Sequence, residues 1–427
     1  MTIVVRGSQK YSFPVCSGRI CNPAAGPPDC KSGGSGSYSS TNPIEKGAEK
    51  GNWLDQVWAL LEDSLVWLFA AATLYRLYLC LQPPLTSTDL LRYIGFGKEF
   101  WKYGLTIYNY PAGHFVGAPY AQHWPTMHFI YPALPILFFA LVSKIWPALF
   151  FGKLVLTAIE GLNAFLIWKI SDDRLLALLY YISPASLWWF SREGQYEPLL
   201  ILFGLIALYF LSRHPQWAYL NLALAIQTKY TPGFLLPYSL MKKIGWREGL
   251  FFVIGFIPSI LFTLRSEYIF RIFTPGYMPT NCNAYTWNIF DAEKLCGTPF
   301  WLVVANALLT YSILILCLVF AIRRVLPAPS ATEGSPSKGR VLRLSKVHQV
   351  SEYLGLALII VFLKSITWAQ FWYIPTLPLF ALTIEEPRER RLFFSLCLFE
   401  MAAIHNLVIA PFGWVNPSPP YQYMWGL

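Results

Sequence analysis

The chain has 427 residues, of which 55% are hydrophobic and only 13% are charged, and its net charge is +10. The charged fraction is about half the roughly 25% of a soluble domain, and soluble cores stop growing well below this chain length. The composition therefore excludes a soluble enzyme, a nucleic-acid-binding protein and a coiled coil, and it predicts an integral multi-pass membrane protein surrounded by membrane lipids.

The N-terminal segment, residues 1–52, is rich in Gly, Ser, Pro and Lys. It predicts a disordered tail, and it lacks the apolar run of a signal peptide. Residues 53–427 are predicted to form a single transmembrane domain, whose first span ends near residue 82. Arg76 lies inside this span and is expected to face protein or water, because a charge exposed to lipid is costly.

The rest of the chain alternates between apolar segments and polar loops. A polar stretch at 83–124 precedes apolar segments at about 125–146, 149–169, 174–191, 195–212, 216–240, 249–264, 299–322, 351–384 (two short spans) and 392–410. A helix needs about 20 residues to span a membrane. The pattern predicts an all-α polytopic bundle of about 10–11 transmembrane helices. No internal repeat is visible, which weakens the case for an inverted-repeat transporter.

Lys and Arg in the loops predict the orientation. The loop at 323–349 is basic, with Glu333 as its one acid, so the positive-inside rule makes it cytoplasmic. The long loops at 83–124 and 265–298 are near charge balance and are predicted to lie on the other side, with amphipathic helices in both. We expect the chemistry on that outer side.

The first outer loop predicts an amphipathic helix from Ser87 onward, lying along the membrane surface. Its apolar face is predicted to hold Leu90, Ile94 and Trp101, and its polar face Asp89, Arg92, Glu99 and Lys102. Asp89 falls in the first turn of this helix. It is either a favourable charge on the helix dipole or a general base at the lipid–water boundary.

Three histidines follow in the same loop and its continuation: His114, His123 and His128. Together they could suggest a metal, but no carboxylate accompanies them at helical spacing. We favour substrate hydrogen bonding for His123. A divalent metal stays open as an alternative that nothing in the sequence supports.

Four segments together resemble the GT-C membrane glycosyltransferases, in particular the glycosylphosphatidylinositol mannosyltransferase I group and prokaryotic polyprenol-phosphate-mannose-dependent enzymes. Asp89 after the first span, followed by Arg92, Tyr93 and a Gly-x-x-x-Tyr element, resembles their first outer loop. The other segments are a polar hinge at 182–200, a Lys-x-x-Pro element at 227–237 and a Gln-aromatic element at 368–379. The resemblance covers about 75–420. It departs from the family in having one clear acid where many relatives carry a pair, and in having Glu197 where Asp often follows Gly-Gln.

The resemblance implies a GT-C-type bundle and a polyprenyl- or dolichyl-phosphate sugar donor, with mannose as the sugar. It implies transfer to a hydroxyl of a lipid- or protein-linked glycan acceptor, in the plasma membrane of a prokaryote or the endoplasmic reticulum of a eukaryote. Asp89 is then the base, and the substrate-binding candidates are Arg92, Tyr93, His123, Arg192, Gln195, Glu197, Lys229 and Gln370. Among these, the phosphate-binding candidates are Arg92, Arg192 and Lys229. The alternatives are a flippase for lipid-linked sugars and a non-catalytic subunit of a glycosyltransferase complex.

Three points stay open in the sequence. Arg192 and Glu197 could form an ordinary loop pair, and Glu160 and Asn163, one turn apart, could satisfy each other or a buried Lys. Strict alternation of spans puts residues 191–197 on the cytoplasmic side, away from Asp89. A re-entrant segment at 125–146 and a bend at Pro232 and Pro237 would instead bring these residues to the outer side.

Overall fold

The computed structural model of the chain describes residues 53–84, 89–115, 125–236, 245–273, 300–325, 353, 356–357, 377–404 and 424–425. Throughout these ranges the regular structure is helical and contains no β-strand. The predicted all-α class is therefore confirmed for this part of the chain. The predicted tail at 1–52 and the basic loop at 326–349 lie outside the described residues.

The helices are short and often interrupted. In chain order they are α1 (Trp53–Leu81), α2 (Asp89–Tyr103), α3 (Ala133–Ile145), α4 (Leu149–Ser171), α5 (Arg174–Ile182), α6 (Glu197–Leu211), α7 (Pro215–Thr228), α8 (Trp246–Gly255), α9 (Ile257–Arg265), α10 (Tyr268–Phe273), α11 (Phe300–Val325), α12 (Leu377–Ala381) and α13 (Pro387–Ile404). Between them lie short 3₁₀-helices at Gly104–Asn109, Ala112–His114 and Thr231–Leu235, one α-helical turn at Pro184–Ser186 and a π-helical turn at Leu187–Arg192.

Several helices have the length and composition of membrane spans. Within the described residues, Ser64–Leu81 of α1 and the whole of α4 are long and apolar enough to cross a membrane. The α8–α9 pair, bent by 46°, is a third candidate if it forms one span. The chain is thus an integral membrane protein, whereas the count of ten or eleven spans stays a prediction.

Two apolar clusters organise the described helices. The bundle cluster is built mainly from α4, α5, α6, α7, α11 and α13, with Tyr180, Trp189 and Leu205 at its centre. The loop cluster joins α2, α3 and the start of α4 to Tyr268 of α10. The chain passes from one cluster to the other between Tyr196 and Leu200, so polar groups near this crossing are enclosed on both sides.

The predicted amphipathic helix exists, but the predicted exposure of its polar face is wrong at Arg92. Helix α2 begins at Asp89, and the stretch Leu90–Gly97 is buried on every side, including Arg92. A Cβ added at Gly97 would lie 2.4 Å from the carbonyl carbon of Phe139. The backbones of α2 and α3 therefore approach at a distance that only glycine permits. Trp101, expected on the buried face, is half exposed.

The described parts of the two long loops contact each other. The Glu267 amide donates to Asn109 Oδ1 at 2.8 Å, and the Tyr108 and Tyr268 rings meet edge to face at 4.9 Å. The Ala133 amide also donates to the Tyr268 hydroxyl at 3.2 Å. Loops can contact each other in this way only when they lie on the same side of the membrane. Which side they occupy stays a prediction.

The short length of α3 and the early end of α7 bear on which side of the membrane the following residues lie. Helix α3 has 13 residues, which is about 20 Å of helix and too short for a hydrocarbon core of about 30 Å. Helix α7 ends at Thr228, and Lys229 is already extended, with φ −156° and ψ 159°. The bend expected at Pro232 thus begins earlier, at Lys229. Strict alternation of spans is wrong, because Gln195 Nε2 lies 3.1 Å from the Asp89 carboxylate at the start of α2.

Candidate active site

Asp89 stands at the start of α2, where a predicted loop meets the bundle. One carboxylate oxygen accepts a hydrogen bond from Arg92 Nη2 at 2.7 Å, and the other accepts from Gln195 Nε2 at 3.1 Å. The Asp89 side chain is 20% exposed, whereas that of Arg92 is buried. The carboxylate is therefore held in one orientation from the protein side and is open on another.

A turn that requires glycine, after α5, carries Gln195 to this position. The π-helical turn Leu187–Arg192 is followed by Gly194, whose φ is +75°. An added Cβ at Gly194 would lie 2.4 Å from Leu90 Cδ2, so the turn is pressed directly against α2. Only glycine combines this backbone conformation with this contact. Wider π-helical turns are frequent at functional sites.

Three tyrosines form a layer next to Asp89. The Tyr93 hydroxyl donates to Gln195 Oε1 at 3.1 Å, and Arg92 Nη2 donates to the Tyr131 hydroxyl at 2.9 Å. The rings of Tyr93, Tyr131 and Tyr196 meet edge to face at 5.0–5.3 Å. Burial raises the pKa of Tyr131 to about 12, so its phenol stays protonated and keeps bonding to Arg92.

A second ion pair lies behind this layer. Lys229 Nζ, at the end of α7, bonds to Glu197 Oε1, at the start of α6, and both side chains are buried. Lys229 Nζ also lies 5.0 Å from the centre of the Tyr196 ring, which connects this pair to the Asp89 pair. The other Glu197 oxygen, Oε2, has no hydrogen-bond partner among the described residues.

The structure thus brings together most of the predicted site. The residues that share one cluster are Asp89, Arg92, Tyr93, Gln195, Glu197 and Lys229. Among the described residues no hydrogen bond or ion pair joins the Arg192 guanidinium to this cluster, and it stacks 4.8 Å from the centre of the Trp188 ring. His123 and Gln370 lie outside the described residues.

The structure decides between the alternatives left open for the acids. Glu197 pairs with Lys229, so the alternative of an Arg192–Glu197 loop pair is wrong. Glu160 does bond to Asn163, at 3.0 Å, but its cationic partner is Arg76 rather than a buried Lys. The sequence alternatives named neither Arg76 as the partner of Glu160 nor Lys229 as the partner of Glu197, because each cation lies far away in sequence.

Arg76 anchors a second polar network, deeper in the bundle. Its guanidinium donates to Ser191 Oγ at 2.8 Å and lies 3.7 Å from Glu160 Oε2. Glu160 also accepts from the Tyr180 hydroxyl at 2.7 Å and from Ser186 Oγ at 3.1 Å. The expectation that Arg76 faces protein rather than lipid is confirmed. Through Ser186 and Ser191, this network holds the π-helical turn in place.

Lys153, which was not predicted from the sequence, clamps the ends of two segments. Its ammonium donates to the carbonyl oxygens of Arg192 at 3.0 Å, Leu79 at 3.4 Å and Gln82. The last carbonyls of a helix lack i+4 amide partners, and here the Leu79 carbonyl accepts from the Gln82 amide at 3.1 Å as well as from the buried lysine. The clamp ties the end of α1, which leads to Asp89, to the turn that carries Gln195. A lysine within the apolar run of α4 was the available sequence signal.

The cluster contains two cations and two acids, each already paired. An anionic ligand at Arg92 or Lys229 would therefore have to compete with Asp89 or Glu197. Within the described ranges, no three His, Cys, Asp or Glu side chains lie close enough together to hold a metal ion. The arrangement can hold the Asp89 carboxylate in one orientation, and its two cations can bind an anion beside it.

No protein-family model and no curated protein matches the chain. Among solved structures, the chain is similar to ArnT from Cupriavidus metallidurans in the apo state, with a TM-score of 0.37 and 12% identity. The match covers 84% of this chain and 78% of that chain. A likeness this distant carries no argument about function, which has to be inferred from the residues of the cluster themselves.

Proposed function

We propose that the chain is a GT-C-type membrane glycosyltransferase. It transfers a sugar, mannose by the family resemblance, from a polyprenyl- or dolichyl-phosphate donor to a hydroxyl of a lipid- or protein-linked glycan. The supporting observation is that Asp89, Gln195 and Lys229, from three separately resembling segments, meet in one cluster. Distant segments also converge on Glu160, which is fully enclosed, but here the carboxylate at the meeting point is partly exposed and so accessible to a substrate.

Asp89 acts as the general base in this proposal. The acceptor oxygen attacks C1 of the donor sugar, the bond between C1 and the phosphate oxygen breaks, and the hydroxyl proton passes to Asp89. Polyprenyl phosphate leaves with the bonding electron pair. The partial exposure of Asp89 gives the acceptor access, and the bonds from Arg92 and Gln195 aim the carboxylate.

Arg92 and Lys229 stabilise the phosphate in this proposal. A leaving phosphate gains from charge-assisted bonds, and both cations lie at the same cluster as the base. In the ligand-free protein, Asp89 and Glu197 hold these cations in place and neutralise them. The donor phosphate then takes over part of that role at Lys229, which leaves Asp89 to accept the proton.

One assay separates this proposal from its alternatives. Purified protein in detergent is incubated with dolichyl-phosphate mannose, labelled in the sugar, and with a lipid extract as the source of acceptor. Release of dolichyl phosphate together with labelled glycolipid supports the enzyme. Movement of intact donor across sealed vesicles without cleavage indicates a flippase. If neither cleavage nor movement occurs, the chain is a non-catalytic subunit. Replacement of dolichyl by polyprenyl donors, and of mannose by other sugars, then defines the donor.

A further inference from the structure

A polar cavity lies at the opposite end of the bundle from Asp89. It has a volume of about 240 Å³ and opens where α4 and α6 end and where the chain turns after α12. Lys169, on its wall, follows Lys153 by sixteen residues of α4, which is about 24 Å along the helix. The cavity is thus separate from the proposed active site. It is lined by Lys169, Ile170, Leu208, Tyr209, Leu211, Ser212, Arg213, Leu382 and Thr383.

The charge of the lining is positive. Lys169 and Arg213 are its charged members, and no acid among the described residues lines the cavity. Within the same part of the chain neither cation forms an ion pair. The nearby Asp173 is engaged elsewhere: it caps α5 by accepting from the Leu175 amide at 3.1 Å, and it pairs with Arg391 at 2.5 Å. Arg213 Nη1 donates to the Tyr209 carbonyl at 2.8 Å, and the remaining donors of Arg213 and the Lys169 ammonium can bond to an anion.

Aromatic rings mark the depth of the cavity. Lys169 Nζ lies 4.2 Å from the centre of the Trp168 ring, and Arg213 Cζ lies 4.3 Å from the centre of the Tyr209 ring. Trp and Tyr combined with Lys and Arg at helix ends are typical of the membrane–water interface. Both cavity-lining helices run from this end into the apolar bundle. The cavity therefore lies at the depth of lipid headgroups.

We infer that this cavity binds the phosphate headgroup of an anionic membrane phospholipid. The two cations can pair with the phosphodiester, which carries one negative charge, and with a second anionic group of the headgroup such as the carboxylate of phosphatidylserine; the hydroxyl-bearing Ser212 and Thr383 also line the cavity. Leu208 and Leu211 continue the wall as an apolar surface for the acyl chains. The predicted orientation puts this end in the cytoplasmic leaflet, where anionic lipids are found and where basic pockets between helices bind their headgroups. The inference does not depend on the proposed glycosyltransferase activity.

The test uses the full chain in a neutral detergent and a short-chain phosphatidylserine as the probe. Calorimetric titration compares the wild type with the double variant Lys169→Ala/Arg213→Ala. The matched control is Lys144→Ala/Arg265→Ala, which removes the same charge from exposed positions away from the cavity. We expect saturable binding to the wild type and to the control, and an affinity lower by about tenfold or more in the cavity variant. All four side chains are exposed, so the variants should keep the wild-type unfolding temperature.

Two further titrations distinguish the sources of the phosphate group. Short-chain phosphatidylcholine should bind the wild type more weakly than phosphatidylserine, because it carries no net negative charge. Inorganic phosphate alone should bind weakly, because it lacks the acyl chains. Equal binding of both lipids, or equal loss of phosphatidylserine binding in the control variant, would overturn the inference. Binding of inorganic phosphate as tight as that of phosphatidylserine would make this a site for a soluble phosphate and would also overturn it.

Discussion

Two polar clusters in this protein differ in how far they are exposed to solvent. The Arg76–Glu160 pair is fully enclosed, with both side chains 0% exposed, and Glu160 accepts from Asn163, Tyr180 and Ser186. Each cluster keeps a buried polar atom without a hydrogen-bond partner among the described residues, Asn163 Oδ1 in the first and Glu197 Oε2 in the second. Asp89, in the second cluster, is 20% exposed. The enclosed Arg76–Glu160 cluster, the deeper network, is therefore closed to a ligand, whereas the Asp89 cluster, the upper one, is partly open.

The largest expected effect tests the upper cluster. Asp89→Asn should lower the turnover of dolichyl-phosphate mannose by about 10²–10⁴-fold, because Asn keeps the size of the side chain but cannot take up the hydroxyl proton. Donor binding should change little, whereas the unfolding temperature should fall, because the buried Arg92 loses its anionic partner. Steady-state transfer, donor titration and thermal unfolding on the same preparation measure the three quantities. If Asp89 were only a charge on the helix dipole, worth about 0.3–1 kcal/mol, turnover would survive.

The next effect tests the deeper network. Arg76→Met leaves the Glu160 carboxylate buried without its cation, and we expect the free energy of unfolding to fall by about 3–5 kcal/mol. Denaturant titration in detergent measures this loss. The double variant Arg76→Met/Glu160→Gln should recover a large part of it, because no unpaired charge remains. Unchanged stability in the single variant would show that the pair does not hold the fold.

A smaller effect concerns Lys229. In the double variant Lys229→Met/Glu197→Gln, the buried pair is replaced without leaving a lone charge, so the fold should persist. Donor affinity should fall by about tenfold or more, because a charge-assisted bond to phosphate contributes about 1.5–3 kcal/mol. Direct titration with the donor measures the change, and Arg192→Met serves as the matched control because no hydrogen bond or ion pair among the described residues joins that cation to the cluster. Unchanged affinity in a folded double variant would make Lys229 a structural residue.

The residues that sequence identified and those it missed differ in a physical way. Lys229 and Arg76 were visible because an ionisable side chain inside an apolar run demands a partner, and the structure supplies one for each. The carbonyl partners of Lys153 could not be predicted, because every residue has a backbone oxygen and the sequence does not mark which of them bind a lysine. Tyr131 was missed for a related reason: its role comes from Arg92 and two other rings, which only the fold brings together.

Burial of α2 was the main error about the fold. The sequence pattern of α2, with apolar and polar residues on opposite faces, predicts a surface helix. That prediction assumes that each polar side chain is solvated by water. Here the Arg92 charge is met by Asp89 and Tyr131 instead, so both faces are buried. Gly97 was the one available signal, since a glycine inside a helix often marks close backbone approach.

The smallest expected effect is a pH dependence near the upper cluster. Burial, followed by the positive charge of Arg271, lowers the pKa of His128, which bonds to the Tyr108 carbonyl at 3.2 Å. The unfolded chain therefore binds the His128 proton more readily than the folded protein does. The stability from neutral His128 is fully present above the unfolded pKa of about 6.5 and is lost as the pH falls through the lower folded pKa. Thermal unfolding in one detergent at pH 7.5 and 5.5 should show a larger decrease for the wild type than for His128→Gln. An equal decrease in both proteins would mean that other groups, away from this segment, govern the acid sensitivity.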